Sequence, residues 1–441
     1  MRKDLSYKTS FPLIECFDEN LFDNDYFGNN FLLSERRKSL GYFKKNNLPS
    51  VKKEDWKYFD LKKISKLSFN NANNLNEEEK KLLIRKKNIF NQKIVIINGE
   101  YCSNLSDTSS VRDKIEFYNL NNQNLSFEKN KFDYIKKYLC AKDESLDSIN
   151  LAFAKDIFIL EIKKGCTIDE PLEIIYLSKS HDDSICINPR LIVISHEASD
   201  STIIETCQSD SSGYLWSNYV TNIVIEKNAR LKHYKYQNEG INSFHTADTK
   251  IELSSFSYYS HYLLNSGSDL SRNKIHCKLN NNNGTCNVSG AYFLNESQKS
   301  DIFVEIEHLS SDCISNQKFY GVVDSNSEGI FQGKIHVGEE TKNTQADQIS
   351  RGVVLSSNAQ INAKPELNIY SEDVQCSHGV SIGELDEESI FYMRSRGISE
   401  NEARQMLIYA FITDTLSDLD DSIILEKFNK LIDKQISEKF F

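Results

Sequence analysis

The chain has 441 residues, a length typical of proteins with two or three structural units. Hydrophobic residues make up 39% of it and charged residues 27%, which is typical of globular proteins. The net charge of -11 argues against a nucleic-acid partner, because nucleic-acid binders carry excess cations that displace phosphate counterions. No run reaches the roughly 18 apolar residues that span a bilayer, and no secretion signal begins the chain. We therefore expect a protein of the cytoplasm, or of an organelle stroma, with no membrane partner.

Residues 1–92 are predicted to be mainly helical. Apolar residues recur at helical spacing in FLLSERRKSLGYFKKNNL, and EEEKKLLIRKKNIF has the pattern of a short charged helix. Between these segments, EDWKYFD contains three aromatic residues, Trp56, Tyr58 and Phe59. We expect these side chains to anchor the helices to the next unit.

Residues 93–378 are predicted to form a β-rich core. From Lys93 the hydrophobic period changes to two, and short β-branched segments such as KIVIING, RLIVISH and IFVEIEH follow one another. Polar turns with Gly or Asn-Ala separate several of them, whereas the Asn-Gly signals of tight hairpins are sparse. Many short strands with corner turns and few hairpins favour a parallel β-helix over a β-sandwich.

Residues 379–441 are predicted to be helical again. Asp386–Arg396 is expected to form the first helix, and residues 419–438 the last. Between them, Ser399 and Glu402 have the spacing of a capping box at the start of a second helix.

The second of these helices carries an apolar stripe at helical spacing. Its members are Ala403, Met406, Leu407, Ala410 and Phe411. Small helices at the end of a β-helix either cap its open end or bind a partner, and the sequence leaves both alternatives open. In the second case Met406, Leu407 and Phe411 are the candidate contacts.

The sequence lacks the common nucleotide-binding loops. It contains no G-x-x-x-x-G-K-[ST] loop for ATP and no G-x-G-x-x-G. The ten cysteines are scattered and form no C-x-x-C pair, so most are expected to be free thiols.

Cys376 and His378 are the candidate metal ligands. They lie two residues apart in an extended segment, so their side chains share one side of the backbone. Thiolate and imidazole suit iron, zinc or copper, but two ligands are too few for a closed site. They fit half of a site that another chain completes. The alternative is a thiol-dependent enzyme in which Cys376 is the nucleophile and His378 the base.

The segment KPELNIYSEDVQCSHGVSIGELDEESIFYMRSRGI, which contains both candidates, resembles the signature of the SufB/SufD family of iron–sulfur cluster assembly proteins. Other segments resemble the family in the same order along the chain, namely EDWKYFDL, SDLSRNKIHCKL, SGAYFL and EIEHLSSDCISNQKFYGVV. The LDEE and RSRG stretches are similar to the SufD branch. The paralogous SufB scaffold is the alternative.

This resemblance implies a mostly β protein, with a right-handed parallel β-helix flanked by helical N-terminal and C-terminal regions. It also implies a non-catalytic scaffold that forms a heterodimer with SufB and docks the ATPase SufC on its C-terminal helices. His378 would ligate a nascent iron–sulfur cluster shared with SufB, with Cys376 as an assisting thiol in the same interface. A reduced flavin in the complex and a homodimer in the absence of SufB are further expectations.

A histidine that ligates a metal needs an acceptor for its other ring nitrogen. Glu372, Asp373 and Glu384 lie near His378 in the sequence. We expect one of these carboxylates to support the His378 ring.

Overall fold

The structure is a computed structural model that describes residues 31–85, 90–120, 129–142, 144–181 and 183–441. The first part of the predicted N-terminal helical region, together with Cys16, lies outside these ranges. The helices of the described residues are α1 (Phe31–Asn46), α2 (Lys62–Ser65), α3 (Glu77–Arg85), α4 (Lys129–Ile135), α5 (Ser145–Phe153), α6 (Glu387–Ser395), α7 (Glu400–Thr413) and α8 (Ser422–Phe440). None of these helices is both long and apolar enough to cross a membrane.

Strands make up most of the rest. The early strands are β1 (Asn70–Asn71), β2 (Lys93–Ile97), β3 (Glu100–Tyr101), β4 (Ile115–Asn119), β5 (Ile157–Ile162), β6 (Leu172–Ser178), β7 (Ile185–Ile187), β8 (Arg190–Ser195), β9 (Asp200–Ser209) and β10 (Leu215–Ile225). The later strands are β11 (Arg230–Asn238), β12 (Ser243–Leu253), β13 (Tyr258–Asn265), β14 (Leu270–Leu279), β15 (Thr285–Leu294), β16 (Lys299–His308), β17 (Ile314–Val323), β18 (Glu328–Val337), β19 (Thr344–Val354), β20 (Gln360–Ile369) and β21 (Val374–Gly383).

The chain forms two compact units. The first comprises the residues up to Leu231 together with Asn242–Glu252, and the second comprises Lys232–Ile241 and Leu253–Phe441. In the first unit one sheet has the order β12-β10-β8-β5-β4, and the other has the order β9-β6-β2-β3. The pairs β4–β5 and β2–β3 are antiparallel, whereas β5–β8, β8–β10 and β6–β9 are parallel.

A buried ion-pair network holds α5 against a sheet of the first unit. Asp147 contacts Arg190 at 2.6 Å and Lys250 at 2.7 Å, and the Asp147 and Arg190 side chains are almost fully buried. Burial alone would raise the pKa of the Asp147 carboxyl, but the two neighbouring cations outweigh burial and lower it. The network therefore keeps Asp147 ionised and ties the helix to the strands.

The second unit is a regular parallel coil. Its sheets have the orders β20-β18-β16-β14 and β21-β19-β17-β15-β13-β11, so successive strands alternate between the sheets. The strands of this unit pair in parallel from β13 to β21, as in a β-helix, where each turn stacks on the one before. The prediction of a mostly β, parallel β-helical protein with terminal helices is confirmed.

The alternation of buried and accessible residues shows which strand face points into the coil. On β16, Val304 and Ile306 are fully buried between the sheets, whereas Glu305 and Glu307 on the opposite face are partly exposed. This is the period-two pattern that β-branched residues produce in a strand with one face in a core. The interior of the second unit is built from these inward positions.

Corners between the strands use asparagine and aspartate as well as glycine. Asn283, Asp312 and Asn343 lie at successive corners and adopt positive φ angles of 61°, 60° and 50°. Short polar side chains tolerate this left-handed conformation because they can hydrogen-bond locally. Asn343 Nδ2 donates a hydrogen bond to Asp312 Oδ1 at 2.9 Å, which links two neighbouring corners.

The C-terminal helices lie on the outer face of a sheet of the second unit. The ring of Phe428 on α8 contacts those of Tyr234 and Tyr262, with centroids 5.7 and 5.2 Å apart. Tyr320 donates from its hydroxyl group to Asp414, just after α7, at 2.7 Å. Outward-facing tyrosines of the coil therefore fix these helices in place.

Candidate functional site

Cys376 and His378 lie on β21, the last strand of its sheet. β21 pairs with β19 on one side, and β20, the last strand of the other sheet, pairs with β18. Within the part of the chain that the structure describes, the other sides of β20 and β21 are unpaired. We call these two unpaired sides the open edge.

The predicted shared orientation of the two side chains follows from the strand register. Cys376 pairs with Ala346 and His378 with Gln348 on β19. Ala346 and Gln348 are both buried at inward positions, and register partners in parallel strands point to the same side. Both candidate ligands therefore lie on the interior side of the coil, in its last turn, where no further turn covers them.

Cys376 is half-buried. It packs with Val374 against a small apolar cluster that includes Ile335, Val337 and Ala346. Burial raises the pKa of the Cys376 thiol, and the nearby Asp347 carboxylate raises it further. The isolated chain therefore holds this group as a thiol near neutral pH, until a metal or another cation stabilises the thiolate.

His378 is exposed and makes no side-chain hydrogen bond within the described residues. Glu372, Asp373 and Glu384, the carboxylates expected to support its ring, are also exposed, and none of them contacts it in the described ranges. The exposed ring is therefore accessible to a metal or a partner, and none of these three carboxylates supports it in the described residues.

The two side chains do not form a complete metal site. The described residues contain no group of three or more His, Cys, Asp or Glu side chains arranged to hold a metal ion. A closed four-coordinate site needs more ligands than this strand supplies. The arrangement can contribute one imidazole and one thiol to a site whose remaining ligands come from elsewhere.

The surroundings of the site are partly apolar and accessible. Tyr370, just after β20, and Val380 and Ile382 on β21 are among the exposed large hydrophobic residues. A long edge strand with unpaired backbone groups and accessible apolar side chains is a template for pairing with another chain. The open edge therefore has the features of an interface.

The three candidate partner contacts on α7 differ in how exposed their side chains are. Met406 is 51% exposed, whereas Leu407 is half-buried. Phe411 is also half-buried, and its ring stacks on that of Tyr320 at a centroid distance of 4.9 Å. The fully buried residues of α7 are instead Ala403, Ile408 and Ile412. Met406 is therefore available to a partner, and Phe411 is already used in part to hold the helix.

Sequence reasoning missed the most exposed aromatic residues of this region. Phe391 and Tyr392 on α6 are 73% and 60% exposed, and Ile390 is the only fully buried residue of that helix. The signal in the sequence was the adjacent aromatic pair in ESIFYMRS. Adjacent residues of a helix point about 100° apart, and in this helix Ile390, next to the pair, is the residue that faces the core.

The predicted starts of α6 and α7 agree with the structure, whereas the predicted start of the last helix does not. Ser399 caps α7, and the reciprocal bonds of a capping box join it to Glu402. Gly397, after α6, has a φ of +90°. The last helix begins at Ser422 instead of residue 419, because the Asp421 carboxylate accepts from the backbone N–H groups of Ile423 and Ile424 and caps it there.

Comparison with known proteins gives two matching family models. The model described as "SUF system FeS cluster assembly, SufBD core domain" matches residues 176–411, and the "SufBD protein N-terminal region" model matches residues 12–174. Three curated relatives are similar to the chain. An iron–sulfur cluster assembly SufBD family protein of Synechocystis is 26% identical over 404 residues, which cover 88% of this chain and 87% of the relative.

The other two relatives match over about half of each chain. The iron–sulfur cluster assembly protein SufD of Escherichia coli is 31% identical over 228 residues, or 51% of this chain and 53% of the relative. The chloroplastic protein ABCI7 of Arabidopsis thaliana is 30% identical over 231 residues, or 52% of this chain and 49% of the relative.

Proposed function

Because the chain belongs to the SufB/SufD family of iron–sulfur cluster assembly proteins, we propose that it is a scaffold subunit that contributes half of a cluster-building site. In this proposal His378 is a ligand of the nascent cluster, and Cys376 assists it from the same face of β21. The remaining ligands come from a paralogous SufB chain that docks against the open edge. The cluster is the cargo of the reaction and leaves for a recipient protein.

One observation carries this proposal: an imidazole and a half-buried thiol share one face of an unpaired terminal strand. Imidazole and thiolate are ligands that iron accepts. A cluster shared between two chains has to be held at their interface. The open edge is a surface where another chain can approach both side chains together.

The proposal also assigns the energy source to a partner. The sequence has no P-loop, so ATP hydrolysis would take place in a SufC-type ATPase. Met406 on α7 and the adjacent Phe391 and Tyr392 on α6 present exposed apolar surface for docking. Arg404 on α7 contacts Glu387 on α6 at 3.0 Å, so an ion pair links the two helices.

The protonation of Cys376 counts against the thiol-dependent enzyme. A nucleophilic cysteine needs a depressed pKa and an oriented base, whereas burial and Asp347 raise the pKa of this thiol. A non-catalytic scaffold requires only that the thiol becomes a ligand after iron arrives. The SufB-type scaffold is the other alternative, and the identity of the copurifying paralogue distinguishes it from the SufD type.

The test is coexpression with the neighbouring suf genes, followed by anaerobic purification and measurement of bound iron, sulfide and the absorption spectrum. His378→Ala is expected to lower cluster content several-fold while SufB and SufC still copurify. Cys376→Ser is expected to have a smaller effect, because the thiol only assists. The same spectrum reveals a reduced flavin after reoxidation in air.

His336→Ala is the matched control, because His336 lies on β18, which pairs with β20 in the other sheet, and its ring packs on Tyr370 instead of facing the interior. Its cluster content is expected to equal that of the wild type. Wild-type cluster content in the His378→Ala complex would refute the assignment. Loss of SufB from that complex would show that His378 serves the interface instead of the cluster.

A further inference from the structure

A row of inward side chains runs along the inside of the second unit and ends at His378. Successive register partners along the sheet are His261, Val288, Gln317, Gln348 and His378. Register partners in neighbouring strands lie about 4.8 Å apart on the same side of the sheet. Gln348 is therefore the nearest inward side chain beneath His378.

The two glutamines of this row are buried in the interior with polar atoms that lack partners. Gln317 and Gln348 are each 1% exposed. The Nε2 and Oε1 atoms of Gln348 and the Oε1 atom of Gln317 have no hydrogen-bond partner among the described residues. Gln317 Nε2 makes one long contact, 3.4 Å, with the carbonyl oxygen of Lys334.

The two glutamine amides occupy space that is free because Gly333, on the opposite sheet, has no side chain. A Cβ atom at this position would overlap the Gln348 amide nitrogen and would lie 2.8 Å from Gln317 Oε1. The two amides thus meet in one small region of the interior. Thr344, on the same strand as Gln348, has a buried hydroxyl group that is also without a partner in the described part of the chain.

Buried amides without partners are rare in folded proteins, because removing them from water costs free energy that a hydrogen bond has to return. Ordered water commonly supplies the missing bond where several polar groups converge. A glutamine can donate two hydrogen bonds and accept two, so Gln348 can bind water and a second group at the same time. Toward the open edge, the next side chain along the row is the ring of His378, the register partner of Gln348.

We propose that Gln348 is a positioning residue for His378, and that it acts through water bound between the two side chains. The water-linked amide holds one ring nitrogen of His378 on the interior side and leaves the other nitrogen directed to the open edge. It takes the place of the carboxylates expected from the sequence. The inference rests on the proposed function, because a fixed ring nitrogen matters when a metal binds there.

The test uses the full-length chain without iron, labelled with 15N in its histidine side chains. At mildly alkaline pH a neutral ring fixed in one tautomer gives two well-separated 15N resonances, and tautomer exchange moves them toward each other. The His378→Ala spectrum identifies the His378 signals. In Gln348→Leu these signals are expected to converge, whereas Gln348→Glu, which keeps an acceptor, is expected to restore their separation.

Gln317→Leu is the matched control, since Gln317 is equally buried in the same row but lies one strand further from His378. Its His378 signals are expected to stay separated. Circular dichroism and thermal unfolding of each variant establish that it is folded before the spectra are compared. Gln348→Ala provides a second apolar variant if Gln348→Leu does not fold.

Unchanged His378 signals in a folded Gln348→Leu or Gln348→Ala variant would overturn the proposal, and so would equal convergence in Gln317→Leu. Because iron is absent, this result does not depend on cluster assembly. Cluster loss in His378→Ala with unchanged ring signals in Gln348→Leu would refute the positioning role alone. Wild-type cluster content in His378→Ala would refute the proposed function alone.

Discussion

At the residue scale, His308 shows how the interior of the coil controls a titratable group. Its side chain is fully buried at an inward position, and Nε2 lies 2.8 Å from the hydroxyl oxygen of Ser315. Burial lowers the pKa of the His308 imidazole to about 4, because the interior disfavours the charged ring. The unfolded chain, in which the pKa is near 6.5, therefore binds a proton more readily than the folded chain.

We expect this difference to make stability depend on pH. The contribution of neutral His308 is fully present above pH 6.5 and is lost as the pH falls toward 4, because the unfolded state is protonated first. At pH 5 the free energy of unfolding is lower by about 2 kcal/mol because of this histidine. Urea unfolding at pH 7 and pH 5 measures it, with His308→Gln as the non-titrating variant.

His308→Gln keeps a group that can hydrogen-bond to Ser315 but cannot take up a proton in this range. Surface carboxylates titrate in both proteins, so the difference between the two isolates the histidine. The wild type is expected to lose about 2 kcal/mol more than the variant between pH 7 and pH 5. Equal losses would show that the His308 ring does not titrate differently in the folded state.

At the scale of elements, α7 has two apolar surfaces with different uses. One surface faces the coil, where Phe411 stacks on Tyr320 and Ile408 and Ile412 are buried. The other includes Met406, which is exposed to solvent. The apolar stripe predicted from the sequence contains residues of both surfaces. Spacing could not separate them, because partner docking and packing on the coil both place apolar residues at helical spacing.

Met406→Glu is expected to weaken binding of the ATPase partner at least about tenfold, because it places a charge in an apolar contact. The free energy of unfolding of the chain alone should change little, since the side chain is exposed. Titration of the purified partner, followed by calorimetry or surface plasmon resonance, gives the affinity. Urea unfolding gives the stability.

Phe411→Ala is the comparison variant, and its expected effect is a loss of about 2 kcal/mol of stability, since it removes a stacked, half-buried ring. Partner binding by the folded fraction should change less than in Met406→Glu. If Met406→Glu destabilises the chain but leaves the affinity for the partner intact, the exposed side of α7 serves to cap the β-helix. The partner surface would then lie elsewhere, with Phe391 and Tyr392 as the next candidates.

At the scale of the whole molecule, the coil of the second unit ends in strands without a neighbouring turn. Both β20 and β21 have ten residues, and their unpaired sides make up the open edge. Globular proteins commonly protect such edges with charges, proline or a covering helix. Here the open edge carries Cys376 and His378, so in the proposed function the partner chain that covers it would also complete the site.

Val380→Lys is expected to weaken association through the open edge at least about tenfold, whether the partner is SufB or a second copy of this chain. Val380 is 44% exposed on β21, so the fold should tolerate the lysine. Ile241→Lys is the control, because Ile241 is similarly exposed, at 48%, but follows β11, which lies five strands away from β21 in the same sheet. Light scattering and copurification measure the association.

Association that survives in Val380→Lys would place the interface away from the open edge. Equal weakening in Ile241→Lys would show a general effect of added charge. Weakening restricted to Val380→Lys supports an interface that includes Cys376 and His378.

The sequence by itself determined the features that depend on neighbours along the chain. The change of period at Lys93, the shared face of Cys376 and His378 and the capping box at Ser399 all follow from spacing within a few residues. Strand and helix geometry sets these relations before any tertiary contact forms. The parallel β-helix was predictable for the same reason, since its strands and corners are local.

Only the tertiary structure decided which surfaces stay uncovered and which polar groups meet. That β21 ends its sheet, that burial raises the pKa of Cys376, and that Gln348 lies beneath His378 all depend on residues distant in sequence. The Gln348 amide also occupies space that exists only because Gly333 has no side chain. Spacing along one strand carries no information about the strand packed against it, so the sequence located the two candidate ligands but not the positioning residue proposed for His378.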